Sequence, residues 1–149
     1  MASVAVLQNV LVSEGVQVKL DSGVIIVAPE KLLKSAALVA SESSTRLDIL
    51  DAIIASEWKQ EFRVLLLLRS SVFSAEFVLA TAMERLPLER RYRVPSVFSL
   101  YSNARMFEKT IERAYGVDFI PAALDFDAEE IADHSYYLRK DFSQGREVL

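Results

Sequence analysis

The first residues of the chain follow a helical pattern and then an extended one. Apolar side chains within residues 4–11 recur at helical spacing and predict a short helix that ends near Gly15. Residues 16–20, which alternate apolar and polar side chains and are expected to form a strand, and the apolar run 24–28 flank the turn signal Asp21-Ser22-Gly23. This arrangement predicts a β-hairpin close to the N-terminus.

A second helix is predicted directly after Pro29, because proline is tolerated at the first helical position. Its expected apolar stripe consists of Leu32, Leu33, Ala36, Ala37 and Ala40. Residues 47–55 fit a helix and a strand equally well, so both alternatives stay open there.

Two further segments, 62–68 and 77–83, carry apolar side chains at almost every position. Such strands are typical of the middle of a sheet, where both faces are covered. Residues 70–74 are short and rich in serine, which predicts a hairpin loop between these two strands.

Charged residues dominate the next segment, in which four arginines alternate with Glu84 and Glu89. We expect a solvated loop here, and the alternative is a contact with an anionic partner or an acidic subunit surface. The arginines are Arg85, Arg90, Arg91 and Arg93.

Helical spacing returns in the second half of the chain. Pro95-Ser96 is expected to open a helical stretch, and Asn103 a second helix. The stripe of that second helix is Ala104, Phe107, Ile111 and Tyr115, and Gly116 is suited to the left-handed position that ends it. Residues 117–119 are predicted to be extended, and residues 127–132 a single helical turn.

This order of elements predicts an α+β fold. We expect a single domain, residues 1–135, with a mixed β-sheet flanked by helices that lie largely on one side. Residues 136–149 are expected to form an extended C-terminal docking tail.

Apolar residues make up 52% of the 149 positions, which is high for a soluble monomer of this size. The longest strongly apolar run, 64–68, is far shorter than the roughly 20 residues of a membrane-spanning helix. The excess therefore indicates either a dense core or a surface that a partner covers. Residues 1–15 lack the basic start of a signal peptide, so none is expected.

Catalytic and cofactor-binding signals are missing from the sequence. The chain has no cysteine and one histidine, His134, which argues against disulfides, zinc sites and iron–sulfur clusters held by this chain. Its four glycines are isolated, so no phosphate-binding loop is predicted. The net charge of −4 disfavours nucleic acid as a partner. We therefore predict no catalytic, metal-binding or cofactor-binding residue.

Three other features have plain interpretations. The carboxylate pairs Asp125/Asp127 and Glu129/Glu130 are expected to lie on a solvated face rather than to act as an acid–base pair. Asp133 and Ser135 flank His134, but adjacent residues do not form a hydrolytic triad. Trp58 is expected to be a partly buried anchor, with a stacking platform as the alternative.

The C-terminal segment combines the residue types that anchor protein interfaces. Arg139 could make a bidentate contact with a carboxylate of a partner. The alternative is that the tail packs on its own domain. The predicted interface residues of this segment are Tyr136, Leu138, Arg139, Lys140, Asp141 and Phe142.

These segments resemble the 30 kDa subunit family of respiratory complex I. Residues 138–142 match the L-R-K-D-F part of the family signature P-L-R-K-D-F/Y, with Tyr137 in place of its proline, and residues 94–97 match the family's v-P-S-v segment. Residues 104–119 align without a gap on A-x-W-x-E-R-E-x-x-D-x-F-G-I-x-F, which places Glu108 on the first glutamate. We therefore add Glu108 to the predicted interface or core-fixing residues.

Departures from these signatures indicate a divergent member. Met106 replaces the tryptophan of the middle signature, and Lys109, Thr110 and Arg113 replace further charged positions. The G-H-P triplet is absent after Phe119. Such divergence is more typical of the small subunits of membrane-bound energy-converting NiFe hydrogenases than of an ordinary NADH:quinone oxidoreductase.

The resemblance implies a non-catalytic structural subunit in the peripheral arm of a redox complex that couples electron transfer to ion translocation. It implies contacts with a hydrogenase-like large subunit and an iron–sulfur subunit, indirect contact with the membrane arm, and a location on the cytoplasmic side. Iron–sulfur clusters and, in a hydrogenase, the NiFe centre would belong to those partners. The alternatives are a free-standing assembly or binding module and an independent enzyme.

Overall fold

The computed structural model describes residues 4–57 and 60–122. Its helices are α1 (Val4–Ser13), a 3-10 turn (Pro29–Lys31), α2 (Leu32–Ser41) and α3 (Ala104–Tyr115). Its strands are β1 (Lys19–Asp21), β2 (Val24–Val27), β3 (Ile49–Glu57), β4 (Glu61–Arg69), β5 (Glu76–Glu84), β6 (Tyr92–Pro95) and β7 (Val117–Ile120).

Five of these strands form one mixed sheet in the order β1-β2-β5-β4-β3. The β2–β5 pair is parallel, and the other three pairs are antiparallel. The sheet and its helices confirm the predicted α+β fold. The ambiguous segment 47–55 contributes the edge strand β3, and the predicted hairpin between β4 and β5 is present.

The N-terminal hairpin follows the predicted turn, although β1 starts later than the strand expected at residues 16–20. Ser22 and Gly23 both have positive φ angles, 52° and 83°. A two-residue turn of this kind matches the twist of paired strands and favours glycine. The sequence Asp21-Ser22-Gly23 thereby fixes the register of β1 against β2.

Strands β6 and β7 form a second, two-stranded parallel sheet, and α3 connects them. Sequence analysis missed β6, because arginines alternate with its buried residues Tyr92 and Val94. The helix expected at Pro95-Ser96 is wrong. Proline instead ends the strand, and the amides of Leu100 and Tyr101 donate to the carbonyl of Val97 to make a turn.

One face of the five-stranded sheet forms the hydrophobic core together with all three helices. Alternate residues of β4 point into it and are almost fully buried, namely Phe62, Val64, Leu66 and Leu68. The helices contribute Leu7 and Leu11 of α1, Leu32, Ala36 and Val39 of α2, and Ala104 and Ile111 of α3. The predicted position of the helices on one side of the sheet is therefore confirmed.

The buried stripes of two helices differ from the predicted ones by about one residue. In α2, Ser35 and Val39 are buried, whereas Leu33 and Ala37 are only partly covered. In α3 a carboxylate, Glu108, occupies the buried stripe and Phe107 lies at its margin. Spacing alone cannot anticipate a buried carboxylate, because its burial depends on partners elsewhere in the fold.

The end of α3 agrees with its prediction. Gly116 adopts the left-handed conformation, with φ 72° and ψ 54°, and its amide donates to the carbonyl of Glu112. Within residues 4–57 and 60–122, no helix is both long enough and apolar enough to cross a bilayer.

Candidate interface surfaces

The second face of the five-stranded sheet is apolar and lies outside the core. The strand register places Ile26, Ala80, Leu65 and Ile54 side by side across four strands. Beside them run Val78, Leu67 and Ala52. Among the described residues, none of these belongs to the core cluster. We call these seven residues, together with Val24, the open sheet face.

Exposure varies across the open sheet face. Ile54 is 46% exposed, and Leu65, Leu67 and Val78 are partly exposed, whereas Ile26 and Ala80 are buried at 7% and 0% exposure. Two shallow depressions of about 600 and 440 Å³ lie along these residues. Both strands β4 and β5 are interior to the sheet, and the expectation that both their faces are covered holds fully at Leu79 and Ala80 of β5, whereas Leu65, Leu67 and Val78 on the second face are only partly covered.

Ion pairs border the open sheet face at both ends. At one end Arg63 contacts Asp21 at 2.9 Å and Glu61 at 2.5 Å. The Arg63 guanidinium holds the pKa of the Asp21 carboxyl below its ordinary value, mainly through their hydrogen bond. At the other end Arg69 contacts Asp51 at 3.0 Å. An apolar centre with a charged border is the usual composition of a protein interface.

Residues 85–91 connect β5 to β6 as the expected loop, and all four arginines are partly exposed, but Arg85 and Arg91 also contact carboxylates of the domain. Arg91 Nε lies 2.6 Å from Asp118 Oδ1, an ion pair between the start of β6 and β7. The Arg85 guanidinium lies 3.7 Å from the buried carboxylate of Glu57. Tyr92 donates to Glu57 at 3.2 Å.

Glu108 is 2% exposed and binds the loop that follows β6. Its carboxylate accepts hydrogen bonds from Ser96 Oγ at 2.8 and 3.1 Å and from the Val97 amide at 3.0 Å. Burial raises the pKa of the Glu108 carboxyl, and the two donors partly oppose that rise. Any effect of Glu108 on a partner would therefore act through the 97–100 loop, and its interface role stays a prediction.

Apolar and basic side chains are exposed on this loop and on the adjoining helix. Phe98 is 49%, Leu100 38% and Met106 64% exposed. The Arg105 guanidinium lies 5.9 Å from the centre of the Phe98 ring. Lys109 and Arg113 follow Arg105 at helical spacing, and both are exposed. We call these residues the α3 outer face: Phe98, Leu100, Arg105, Met106, Lys109 and Arg113.

Several predicted residues lie outside the described part of the chain. These are Trp58, His134, the carboxylates between Asp125 and Glu130, the helical turn at 127–132, and the interface residues Tyr136, Leu138, Arg139, Lys140, Asp141 and Phe142. Their roles stay predictions. Within residues 4–57 and 60–122, no group of three or more histidines and carboxylates converges to hold a metal ion.

Sequence analysis named neither the open sheet face nor the α3 outer face. The signal for the first was present, because the two-sided apolar pattern of β4 and β5 coincided with a high apolar fraction. The sequence contained no signal for the second, because the exposure of Phe98 and Met106 depends on how the 97–100 loop and α3 are oriented in the fold.

The chain resembles known proteins both in sequence and in fold. The family model described as "Respiratory-chain NADH dehydrogenase, 30 Kd subunit" matches residues 25–147. A chain of the membrane-bound sulfane sulfur reductase, an archaeal respiratory membrane complex, superposes with a TM-score of 0.69 at 18% identity, over 97% of this chain and 87% of that one. The trypsin-resistant fragment (1–134) of Nqo5 gives a TM-score of 0.50 at 16% identity, over 81% and 96%. No curated protein sequence matches significantly. The family match confirms the resemblance found in the sequence.

Proposed function

Because the chain belongs to the family of the 30 kDa subunit of the respiratory-chain NADH dehydrogenase, we propose that it is a non-catalytic structural subunit of a complex I-like, membrane-bound redox complex. In this role it packs in the peripheral arm, on the cytoplasmic side, against a hydrogenase-like large subunit. An iron–sulfur subunit is its second neighbour, and contact with the membrane arm is indirect. Iron–sulfur clusters, and a NiFe centre in a hydrogenase, belong to those partners.

The observation that carries this proposal is the open sheet face. It presents aliphatic side chains from four adjacent strands, and the described helices pack on the opposite face. Each Å² of apolar surface that a partner removes from water contributes about 25 cal/mol before the costs of association. The arginines at its border are already paired with carboxylates, so a partner need not supply a counter-charge there.

The C-terminal residues 136–149 supply a second contact in this proposal. Tyr136, Leu138 and Phe142 serve as apolar anchors, and Arg139 and Asp141 as charged contacts along the large subunit. Residues 1–135 form the folded domain from which this tail extends. The departures from the family signature at Met106 and Arg113 support a hydrogenase-type complex rather than an NADH:quinone oxidoreductase.

The test is gentle detergent purification of the tagged chain from its native membranes, followed by mass spectrometry of the copurifying proteins. We expect a NiFe-type large subunit, a small iron–sulfur subunit and antiporter-like membrane proteins. NADH-oxidising flavoprotein subunits in the same sample would assign the complex to the NADH:quinone class instead. Recovery of the chain as a lone monomer would contradict the proposal.

A further inference from the structure

The α3 outer face carries three cations, Arg105, Lys109 and Arg113, that form no ion pair within residues 4–57 and 60–122. Other arginines have carboxylate neighbours: Arg63, Arg69, Arg85 and Arg91 each lie within 4.0 Å of one. A basic stripe that forms no ion pair with the described residues is unexpected on a chain whose net charge is −4.

This stripe is unfavourable for the helix that carries it. Arg105, Lys109 and Arg113 are spaced four residues apart, so consecutive cations face each other along one side of α3. Like charges at this spacing destabilise a helix by roughly 0.2–0.5 kcal/mol per pair. Arg105 also lies in the first helical turn, where the helix dipole disfavours positive charge. Arg113 lies in the last turn, where the dipole favours a cation, so the dipole opposes only Arg105, whereas the like-charge spacing opposes the stripe as a whole.

The apolar part of the α3 outer face is held in a fixed position. Glu108 accepts hydrogen bonds from Ser96 and Val97, and Ser96 Oγ accepts one from the Phe98 amide at 3.1 Å. The Leu100 amide donates to the Val97 carbonyl at 3.0 Å. A buried carboxylate thus orders a short loop that exposes Phe98 and Leu100. Ordering a contact loop before binding lowers the entropy cost of association.

From these observations we propose that the α3 outer face is a docking surface for an acidic surface of a neighbouring protein subunit. Carboxylates of that subunit pair with Arg105, Lys109 and Arg113. On the neighbouring subunit, an apolar depression between those carboxylates receives Met106 and Phe98. This inference rests on the proposed role as a subunit, and it adds a second contact surface, distinct from the open sheet face, with a stated charge preference.

Zero-length carbodiimide cross-linking of the purified native complex tests the proposal, because it joins an amine only to a carboxylate in direct contact. We expect the Lys109 amine to link to an aspartate or glutamate of another subunit. The Lys109→Arg variant should abolish this link and still assemble, since it keeps the charge. Links from Lys109 to Asp125–Asp133 of the same chain, or no link at Lys109 in an intact complex, would overturn the proposal.

Charge reversal provides the second measurement. Lys109→Glu/Arg113→Glu should lower recovery of the large subunit with the tagged chain by about tenfold or more, because like charges then oppose each other across the contact. Lys34→Glu/Arg46→Glu makes the same change at two other exposed positions and should leave recovery unchanged. Equal losses in both variants would overturn the proposal. If wild-type chain copurifies with no subunit at all, the subunit role itself fails.

Discussion

At the residue scale, Glu108 shows how a family signature can mark a position without giving its physical role. The sequence aligned it with a signature glutamate, and its helical spacing from Ala104 and Ile111 fits the expected stripe, which was assigned from apolar residues alone. The structure buries it at 2% exposure and surrounds it with the donors Ser96 and Val97. Those donors follow a strand that the sequence pattern did not reveal, so the burial could not be predicted.

Replacing Glu108 separates its hydrogen bonds from its charge. Glu108→Ala leaves the Val97 amide and the Ser96 hydroxyl without their acceptor, and we expect a loss of about 1–3 kcal/mol in the free energy of unfolding. Glu108→Gln keeps an acceptor oxygen, so its loss at pH 7 should be smaller than that of the alanine variant. Urea denaturation of both variants measures the difference. If the alanine and glutamine variants lose the same free energy of unfolding, the hydrogen bonds accepted by Glu108 do not stabilise the domain.

The same site should make stability depend on pH. Burial raises the pKa of Glu108 in the folded state above its ordinary value of 4.5, so the folded chain binds this proton more tightly than the unfolded chain. The contribution of Glu108 to the free energy of unfolding therefore falls as pH rises from 4.5 through the raised pKa. Glu108→Gln should remove this fall, whereas Glu30→Gln, at an exposed carboxylate of the 3-10 turn, should retain it. Urea midpoints measured from pH 4 to pH 8 test the prediction.

At the element scale, the sequence predicted best where local chemistry determines the structure. The turn at Ser22–Gly23 and the end of α3 at Gly116 were predictable, because both require φ angles that glycine tolerates. Strand β6 was not predictable, because Arg91 and Arg93 mask the alternation of Tyr92 and Val94. The ion pair of Arg91 with Asp118 joins residues that are far apart in the chain, so it cannot be predicted from a local sequence pattern.

Substitutions at Gly116 test the connection between α3 and β7. Its φ of 72° is strained for a residue with a Cβ atom, so Gly116→Ala should lower the free energy of unfolding by about 1 kcal/mol. Gly116→Asn should cost less, because asparagine tolerates the left-handed region better. Thermal denaturation of the three proteins should give the order glycine, asparagine, alanine. A lower stability for the asparagine variant than for the alanine variant would show that the connection between α3 and β7 adopts another conformation in the variants.

At the scale of the whole molecule, the two faces of the five-stranded sheet have different environments. One face builds the core with α1, α2 and α3, and the other remains partly exposed with aliphatic side chains. The sequence indicated an excess of apolar residues but could not assign it to one face. That assignment needs the register of β2, β5, β4 and β3, which only long-range pairing determines.

A charge on the open sheet face should impair assembly without unfolding the domain. Ile54 is 46% exposed, so Ile54→Glu should change the free energy of unfolding by less than about 1 kcal/mol. It should nevertheless lower recovery of the large subunit, because an unpaired carboxylate is costly in an apolar contact. Val12→Glu, at a residue of α1 that is 56% exposed, is the matched control. Normal assembly of the Ile54 variant would exclude this face from the interface.

Deletion of residues 136–149 tests the predicted tail. We expect the shortened chain to retain the circular dichroism spectrum and thermal transition of the full chain, and to fail to enter the complex. The measurement is copurification from native membranes, with the full-length tagged chain as reference. An intact complex that contains the shortened chain would refute the docking role of the tail.

The parallel pairing of β2 with β5 has a consequence for the order in which the chain folds. Strands β3, β4 and β5 are consecutive and antiparallel, so they can associate through short connections. Ile25 of β2 pairs with Leu79 of β5, and this pairing can form only after the ribosome has synthesised α2, β3, β4 and β5. At roughly 5–20 residues per second, this delay lasts several seconds. During this part of translation the complete sheet has not formed, so the apolar sides of α1 and α2 are not yet covered by it. We therefore expect nascent chains to depend on chaperones that bind exposed apolar segments.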